Sequence, residues 1–189
     1  MNTNLFIIHG AYGHPGENWF PWLKSECEAM GHSVYVPGFP TPEGQSLDNW
    51  LKTFSPYQQY VNRDSVFVGH SLGPAFILRL LEGFKDSIHA AFLIAGFISP
   101  LGNPEFDKIN SSFINKKFDF SRIRRNCGKF FVYNSDNDPY VPLERGRELA
   151  NCLKTQLHII HGAGHFNTAA GYTKFPLLFQ QIKEVLAEP

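Results

Sequence analysis

The 189-residue sequence has no excess charge of either sign, because 17 lysines and arginines balance 17 aspartates and glutamates. A balanced chain has no net field to attract nucleic acid or an anionic membrane, so we expect neither as a partner. Cysteine is scarce as well: Cys27, Cys127 and Cys152 lie far apart, with no CxxC spacing. Such a set forms neither a disulfide framework nor a zinc site and indicates a reducing compartment.

Long hydrophobic runs are absent too. No apolar stretch approaches the roughly 20 residues needed to span a bilayer, and the N-terminal residues lack the pattern of a signal peptide. The sequence therefore predicts a cytoplasmic protein. Hydrophobic residues make up 43% of the chain and charged residues 18%, which is typical of a globular protein. The length predicts one domain over residues 1–189.

Short apolar runs rich in Val, Ile, Phe and Leu alternate with stretches of helical period. The runs occupy residues 5–10, 33–38, 65–70, 89–96, 129–134 and 156–162. The helical stretches occupy residues 16–30, 46–61, 72–84, 142–153 and 173–187. Nearly continuous apolar runs suit parallel strands that are buried on both faces. The alternation predicts a three-layer α/β/α sandwich around a mostly parallel sheet, with ligands bound where the strands end.

One long interval, residues 97–126, interrupts this alternation. It contains several prolines, glycines and phenylalanines. Two interpretations are open: a small lid that covers the end of the sheet, or a loop that packs its phenylalanines on the sheet.

The segment Gly69-His70-Ser71-Leu72-Gly73 fits the pattern G-x-S-x-G, follows a predicted strand and opens a predicted helix. That context is what a nucleophilic serine requires, because the serine must sit on a tight turn between glycines. The following helix N-terminus would direct free N–H groups at a developing oxyanion. We therefore predict that Ser71 is a catalytic nucleophile.

A serine hydroxyl needs a histidine base, and the histidine needs an orienting acid. Asp138 follows the fifth run and His165 follows the sixth, in the order Ser, acid, His. We prefer Asp138 over Asp136 because prolines fix the turn after it. We prefer His165 over His161 because His165 lies on a loop flanked by glycine.

The loop after the first run, His9-Gly10-Ala11-Tyr12-Gly13, is a candidate for the rest of the oxyanion hole. The amide of Ala11 or Tyr12 would act together with that of Leu72, and Ala11 is preferred. Tyr12 and His70 are candidate substrate-binding residues. No histidine and carboxylate spacing suggests a metal site, so we expect no metal and no cofactor.

These segments together resemble the α/β-hydrolase superfamily over nearly the whole chain. The stretch Asn18-Trp19-Phe20-Pro21-Trp22-Leu23-Lys24 and the turn around His165-Phe166 resemble, more narrowly, the small serine hydrolases typified by retinoblastoma-binding protein 9 and its bacterial relatives. The resemblance implies a six-stranded core, a triad at Ser71, Asp138 and His165, and activity on small esters or amides. The L-x-C-x-E motif credited with retinoblastoma-protein binding does not occur, so that partner is not expected.

The sequence thus favours a serine hydrolase that cleaves small carboxylic esters, or amides, through an acyl-enzyme. Two alternatives stay open. One is a hydrolase-like protein that binds a ligand without turnover. The other is an acyltransferase or an aminopeptidase-type amidase that uses the same triad.

Overall fold

A computed structural model describes residues 2–187, and these residues form one six-stranded, wholly parallel sheet. The strands are β1 (Asn4–Ile8), β2 (Ser33–Tyr35), β3 (Val66–His70), β4 (Ile88–Ile94), β5 (Cys127–Ser135) and β6 (Leu157–Ile160). Their order across the sheet is β2-β1-β3-β4-β5-β6. Because all strands run the same way, their carboxyl ends meet at one edge.

Helices cover both faces of the sheet. They are α1 (Phe20–Ala29), α2 (Leu47–Phe54), α3 (Gly73–Gly83), α4 (Pro104–Ile114), α5 (Phe120–Arg125), α6 (Leu143–Leu153) and α7 (Pro176–Leu186). The apolar residues of α1 and α7 belong to one core cluster, and those of the other helices belong to a second. The predicted three-layer α/β/α sandwich with a six-stranded parallel sheet is confirmed.

Successive side chains of the central strands alternate between the two faces of the sheet, and this explains why the chain folds in this way. In β1, Leu5 and Ile7 pack into the cluster with α1 and α7, whereas Phe6 and Ile8 pack into the opposite cluster. Successive strand side chains point to opposite faces, so a strand covered on both sides must be apolar at every position. All five residues of β3 are buried accordingly.

The interval 97–126 contains α4 and α5, two helices that the sequence analysis did not predict. The buried side chain of Arg79 on α3 holds this interval in place: its Nε donates a hydrogen bond to the Phe113 carbonyl over 2.9 Å. Its guanidinium also bonds the Lys116 carbonyl and lies 3.5 Å from the centroid of the Phe118 ring. Phe113 and Phe118 are thus buried, while Phe106 reaches the carboxyl edge of the sheet. A lid role for the interval stays a prediction.

None of the helices among the described residues has the length and apolar character needed to cross a bilayer.

Candidate active site

Ser71 lies on a sharp turn between β3 and α3. Its backbone is left-handed, with φ at +59°, and its N–H donates to the Ile94 carbonyl over 2.9 Å. A Cβ on Gly69 would lie 2.8 Å from the backbone of Gly73 and 2.8 Å from that of Pro74, so this turn excludes any larger residue there. Strain of this kind occurs in folded proteins where the surroundings enforce it, and it is concentrated at functional sites.

The loop after β1 packs directly against the serine. A Cβ on Gly10 would lie 2.7 Å from the Ser71 Cβ and 3.1 Å from its Oγ, so the close approach requires glycine. The Tyr12 N–H is already bound, because it donates to the Thr41 Oγ1 over 2.7 Å. Among residues 2–187, by contrast, the N–H groups of Ala11 and Leu72 have no hydrogen-bond acceptor. Of the two amides proposed in this loop, only that of Ala11 is therefore available to a ligand.

Asp138 and His165 form a buried pair at the carboxyl ends of β5 and β6. The His165 Nδ1 lies 2.8 Å from the Asp138 Oδ2, and the Asp138 side chain is fully buried. The other oxygen, Oδ1, accepts hydrogen bonds from the amides of Tyr140 and Val141 over 2.8 and 3.0 Å. A carboxylate only accepts, so Nδ1 carries the proton and Nε2 presents a lone pair.

The two alternative residues, Asp136 and His161, pair with each other instead. The His161 Nδ1 lies 2.6 Å from the Asp136 Oδ2, and 83% of the His161 side chain is exposed. The Gly162 amide and the His161 ring lower the pKa of Asp136. Neither residue lines the cleft that contains Ser71, whereas His165 does.

Side chains at the end of β5 and in the loop after it bond to the backbone of the loop that carries His165. The Ser135 Oγ accepts a hydrogen bond from the Ala163 amide over 3.0 Å and donates one to the Asn137 Oδ1 over 2.7 Å. The Asn137 Oδ1 also accepts from the Gly164 amide over 2.7 Å. His165 is therefore fixed by its backbone as well as by its ring.

Two further histidines near the serine have structural roles. The His9 ring is buried, where its Nδ1 donates to the Gly10 carbonyl over 2.8 Å and its Nε2 accepts from the Phe39 amide over 2.9 Å. The His70 Nε2 donates to the His165 carbonyl over 2.7 Å, and its ring packs against Trp19 and Phe20. Burial lowers the pKa of His9, and burial together with the neighbouring His165 lowers the pKa of His70 to about 3.

His70 should make the fold sensitive to acid. The folded protein keeps His70 neutral down to its pKa of about 3, whereas the unfolded chain binds a proton near pH 6.5. Its contribution to stability is therefore complete above pH 6.5 and is lost as the pH falls, by up to about 1.4 kcal/mol per pH unit. Replacing His70 with Gln should reduce the loss of unfolding free energy between pH 7 and pH 5 by about 1–2 kcal/mol, measured by urea denaturation.

The control for this experiment is His161→Gln, which removes an exposed ring. This variant should lose as much unfolding free energy between pH 7 and pH 5 as the wild type does. If both variants behave like the wild type, the buried neutral ring of His70 is not the source of the acid sensitivity.

The site opens into a cleft of about 250 Å³. Its lining residues are Gly10, Ala11, Tyr12, Glu17, Asn18, His70, Ser71, Phe97, Leu101, Phe106, Asn110, Tyr140, Val141, His165 and Asn167. One wall is apolar and continues into the core beneath α3 and α6 through Phe97 and Val141. The other wall is polar, since Glu17 and Asn18 come from the loop before α1 and Asn167 follows His165. A larger cavity of about 500 Å³, bordered by Leu51, Arg79 and Phe84, contains none of these residues.

Three aromatic rings contact one another along the rim of the cleft. The Phe106 ring on α4 packs edge-on against Tyr12, with centroids 6.1 Å apart, and against Tyr140, 5.9 Å apart. The Tyr140 ring in turn lies 5.0 Å from the His165 ring. The Tyr12 hydroxyl donates to the Glu105 Oε1 over 3.3 Å, so the first turn of α4 contacts the loop after β1. Tyr12 and His70, the predicted substrate-binding residues, both lie in the cleft.

The sequence analysis missed Glu17 and Tyr140. The available signal for Glu17 was its place in the glycine-rich loop after the first strand, where side chains reach the carboxyl edge. In residues 2–187, no cluster of three or more histidine, cysteine or acidic side chains is arranged to hold a metal ion.

The fold and the serine turn define a class of protein. The chain belongs to the serine hydrolase family, whose model matches residues 5–184, and it is a hydrolase with the α/β-hydrolase fold. It is 30% identical to YdeN of Bacillus subtilis (strain 168) over 181 residues, which are 95% of this chain and 94% of that protein. It is 24% identical to serine hydrolase RBBP9 of Rattus norvegicus over 187 residues, covering 97% and 96% of the two chains.

A solved structure extends the likeness to three dimensions. The crystal structure of the ydeN gene product from B. subtilis matches with a TM-score of 0.92 at 28% identity. The match covers 99% of this chain and 100% of that one. The predicted resemblance to small serine hydrolases of this family is confirmed.

Proposed function

We propose that this hydrolase cleaves small carboxylic esters through an acyl-enzyme on Ser71, with His165 as base and Asp138 as its orienting acid. The observation that carries the proposal is the buried Asp138–His165 pair, whose Nε2 has no hydrogen-bond partner among residues 2–187, in the cleft that Ser71 also lines. Within the described part of the chain, neither His9 nor His70 combines these properties, because the ring nitrogens of His9 are both engaged and the His70 Nε2 is bound to a carbonyl.

The geometry supports a specific sequence of proton transfers. His165 takes the proton from the Ser71 hydroxyl at Nε2 as the oxygen attacks the ester carbonyl. The Asp138 carboxylate, whose other oxygen accepts hydrogen bonds from two backbone amides, stabilises the imidazolium that forms. The imidazolium then protonates the departing alcohol. Water, deprotonated by the same histidine, attacks the acyl-enzyme and releases the acid.

The amides of Ala11 and Leu72 are the proposed donors to the oxyanion. Each is without an acceptor among the described residues, and Gly10 brings the Ala11 loop against the serine. Leu72 precedes α3 directly, so the partial positive charge of that helix N-terminus adds to the effect. Removing one preorganised donor from an oxyanion hole raises the activation barrier by about 3–4 kcal/mol.

His70 is the proposed positioning residue for the base. Its Nε2–H bonds the His165 carbonyl from a ring held between Trp19 and Phe20, so it fixes the loop without touching the reacting atoms. The apolar wall of Phe97, Leu101 and Phe106 supports an ester with a modest apolar group.

A fluorophosphonate probe tests the proposal directly. Such probes phosphonylate only a serine that a neighbouring base activates, so the mass of one adduct should appear on the peptide that contains Ser71. A folded protein that takes up no probe and hydrolyses no ester would identify a ligand-binding protein instead. Formation of a new ester when an alcohol competes with water would identify an acyltransferase.

A further inference from the structure

Glu17 contributes an acidic side chain to a cleft that otherwise has no charged lining. Among the cleft residues, all within the described part of the chain, it is the one carboxylate, and none is a lysine or an arginine. The residue is half-buried, and it forms no ion pair with a lysine or arginine of residues 2–187. The mechanism proposed above does not use it.

The loop after β1 places this carboxylate in the same cleft as the reacting serine. A Cβ on Gly13 would lie 2.5 Å from the Glu17 Oε1 and 3.0 Å from the Gly10 carbonyl oxygen. The Glu17 carboxylate and the Gly10 carbonyl therefore both lie next to Gly13. Gly10 itself abuts Ser71. Burial raises the pKa of Glu17, while the rings of His14 and His165 and the His14 amide act in the opposite direction. The carboxylate is therefore partly desolvated, lines the same cleft as the base and borders the oxyanion loop.

The other polar side chains on this wall already have partners. The Asn18 Oδ1 accepts from the Thr168 amide over 2.9 Å, and the Asn167 Oδ1 accepts from the Ala170 amide over 3.0 Å. Across the cleft, the Asn110 Oδ1 accepts from the Gln45 Nε2 over 2.9 Å. These three asparagine side chains therefore stabilise the local structure by their hydrogen bonds. Glu17 differs from them in its charge, because no lysine or arginine of the described residues pairs with its carboxylate.

We propose that Glu17 is a specificity residue that selects esters carrying a protonated amine near the scissile bond. A half-buried carboxylate without a lysine or arginine partner gains most from a ligand that supplies a cation, since a charge-assisted hydrogen bond then replaces lost water. The apolar wall opposite takes the hydrocarbon part of the same substrate. This inference rests on the proposed function, because it assumes that Ser71 attacks the ester.

The test compares substrates that differ by one charge. L-alanine benzyl ester and benzyl isobutyrate exchange an ammonium for a methyl group on the acyl side. The butyrate esters of 3-(dimethylamino)propanol and 4-methylpentanol exchange a protonated tertiary amine for a CH group on the alcohol side. For at least one pair, Glu17→Gln should lower the ratio of kcat/KM, charged over neutral, by about 10- to 100-fold. Turnover of the neutral ester should persist, which shows that the variant is folded.

Glu105→Gln is the matched control, because Glu105 bonds the Tyr12 hydroxyl at the mouth but does not line the cleft. It removes the same charge from the vicinity and should change the ratios by less than about twofold. An equal effect of both variants would mean that a diffuse field, and not contact with Glu17, selects the substrate.

The possible failures are distinguishable. Ratios that Glu17→Gln leaves unchanged in both pairs overturn the inference while the hydrolase proposal stands. An equal loss for charged and neutral esters also overturns it, since Glu17 would then act on His165 and not on substrate. If the wild type turns over no ester of the panel, protection of Ser71 from the fluorophosphonate decides: L-alanine amide should slow labelling more than isobutyramide, and Glu17→Gln should abolish the difference. Absence of labelling sinks both proposals together.

Discussion

Replacing Ser71 with Ala is expected to lower kcat for an activated ester such as p-nitrophenyl acetate by about 10⁴- to 10⁶-fold. The substitution removes the nucleophile but leaves the Asp138–His165 pair, the two free amides and the cleft. Any residual rate then comes from binding and oxyanion stabilisation of a direct attack by water. Stopped-flow measurement of p-nitrophenolate release would show the loss of both the burst and the steady-state rate.

Ser71→Gly is the control for folding. Ser71 has φ at +59°, a conformation that glycine adopts without a steric penalty. The glycine variant should therefore be as inactive as the alanine variant but more stable than it by about 1 kcal/mol. Ester turnover that survives in both variants would assign the nucleophile to another residue.

Much of the fold was predictable because each central strand is covered on both faces. A strand with helices packed on both faces must be apolar at every position, as in Val66-Phe67-Val68, and such continuous apolar runs are easily recognised in a sequence. The edge strand β2 ends at Tyr35, three residues before its predicted end, because β1 pairs with it only as far as Phe6.

The helices α4 and α5 were missed for a different reason. Their start signals are present: Asn103 accepts hydrogen bonds from the amides of Glu105 and Phe106, and Pro104 occupies the first turn. The prolines and glycines of this interval left two interpretations open in the sequence analysis, a small lid or a packed loop, and neither specified these helices. What orders this interval is the buried Arg79 on α3, a contact more than 30 residues away along the chain.

The residues of the candidate site likewise differ in how far the sequence predicts them. Ser71, Asp138 and His165 could be proposed from sequence because each lies on the turn or loop that follows a strand, and parallel strands bring their carboxyl ends together. Glu17 had a weaker signal, its place in the glycine-rich loop after the first strand, since its side chain reaches the cleft only through the conformation of that irregular loop. Periodicity carries no information on such a loop.

Asp138→Asn should reduce kcat for ester hydrolysis by about 10⁴-fold, because it reverses the hydrogen bond to the base. The amides of Tyr140 and Val141 both donate to the Asp138 Oδ1, so an asparagine must keep its oxygen at that position. Its NH₂ group then faces the His165 Nδ1, which lies 2.8 Å from the replaced oxygen. The ring is forced to carry its proton on Nε2, where it cannot accept one from Ser71.

Asp136→Asn makes the identical chemical change in the neighbouring Asp136–His161 pair. That pair is exposed and outside the cleft, so kcat should change by less than about threefold. The two variants together decide which aspartate is the acid, since the carboxylates lie two residues apart on one loop and differ in the histidine that each binds. A large loss in Asp136→Asn with normal activity in Asp138→Asn would transfer the acid and base roles to Asp136 and His161. Such a result would require the loop after β6 to turn His161 into the cleft, against the backbone contacts that Ser135 and Asn137 make with Ala163 and Gly164.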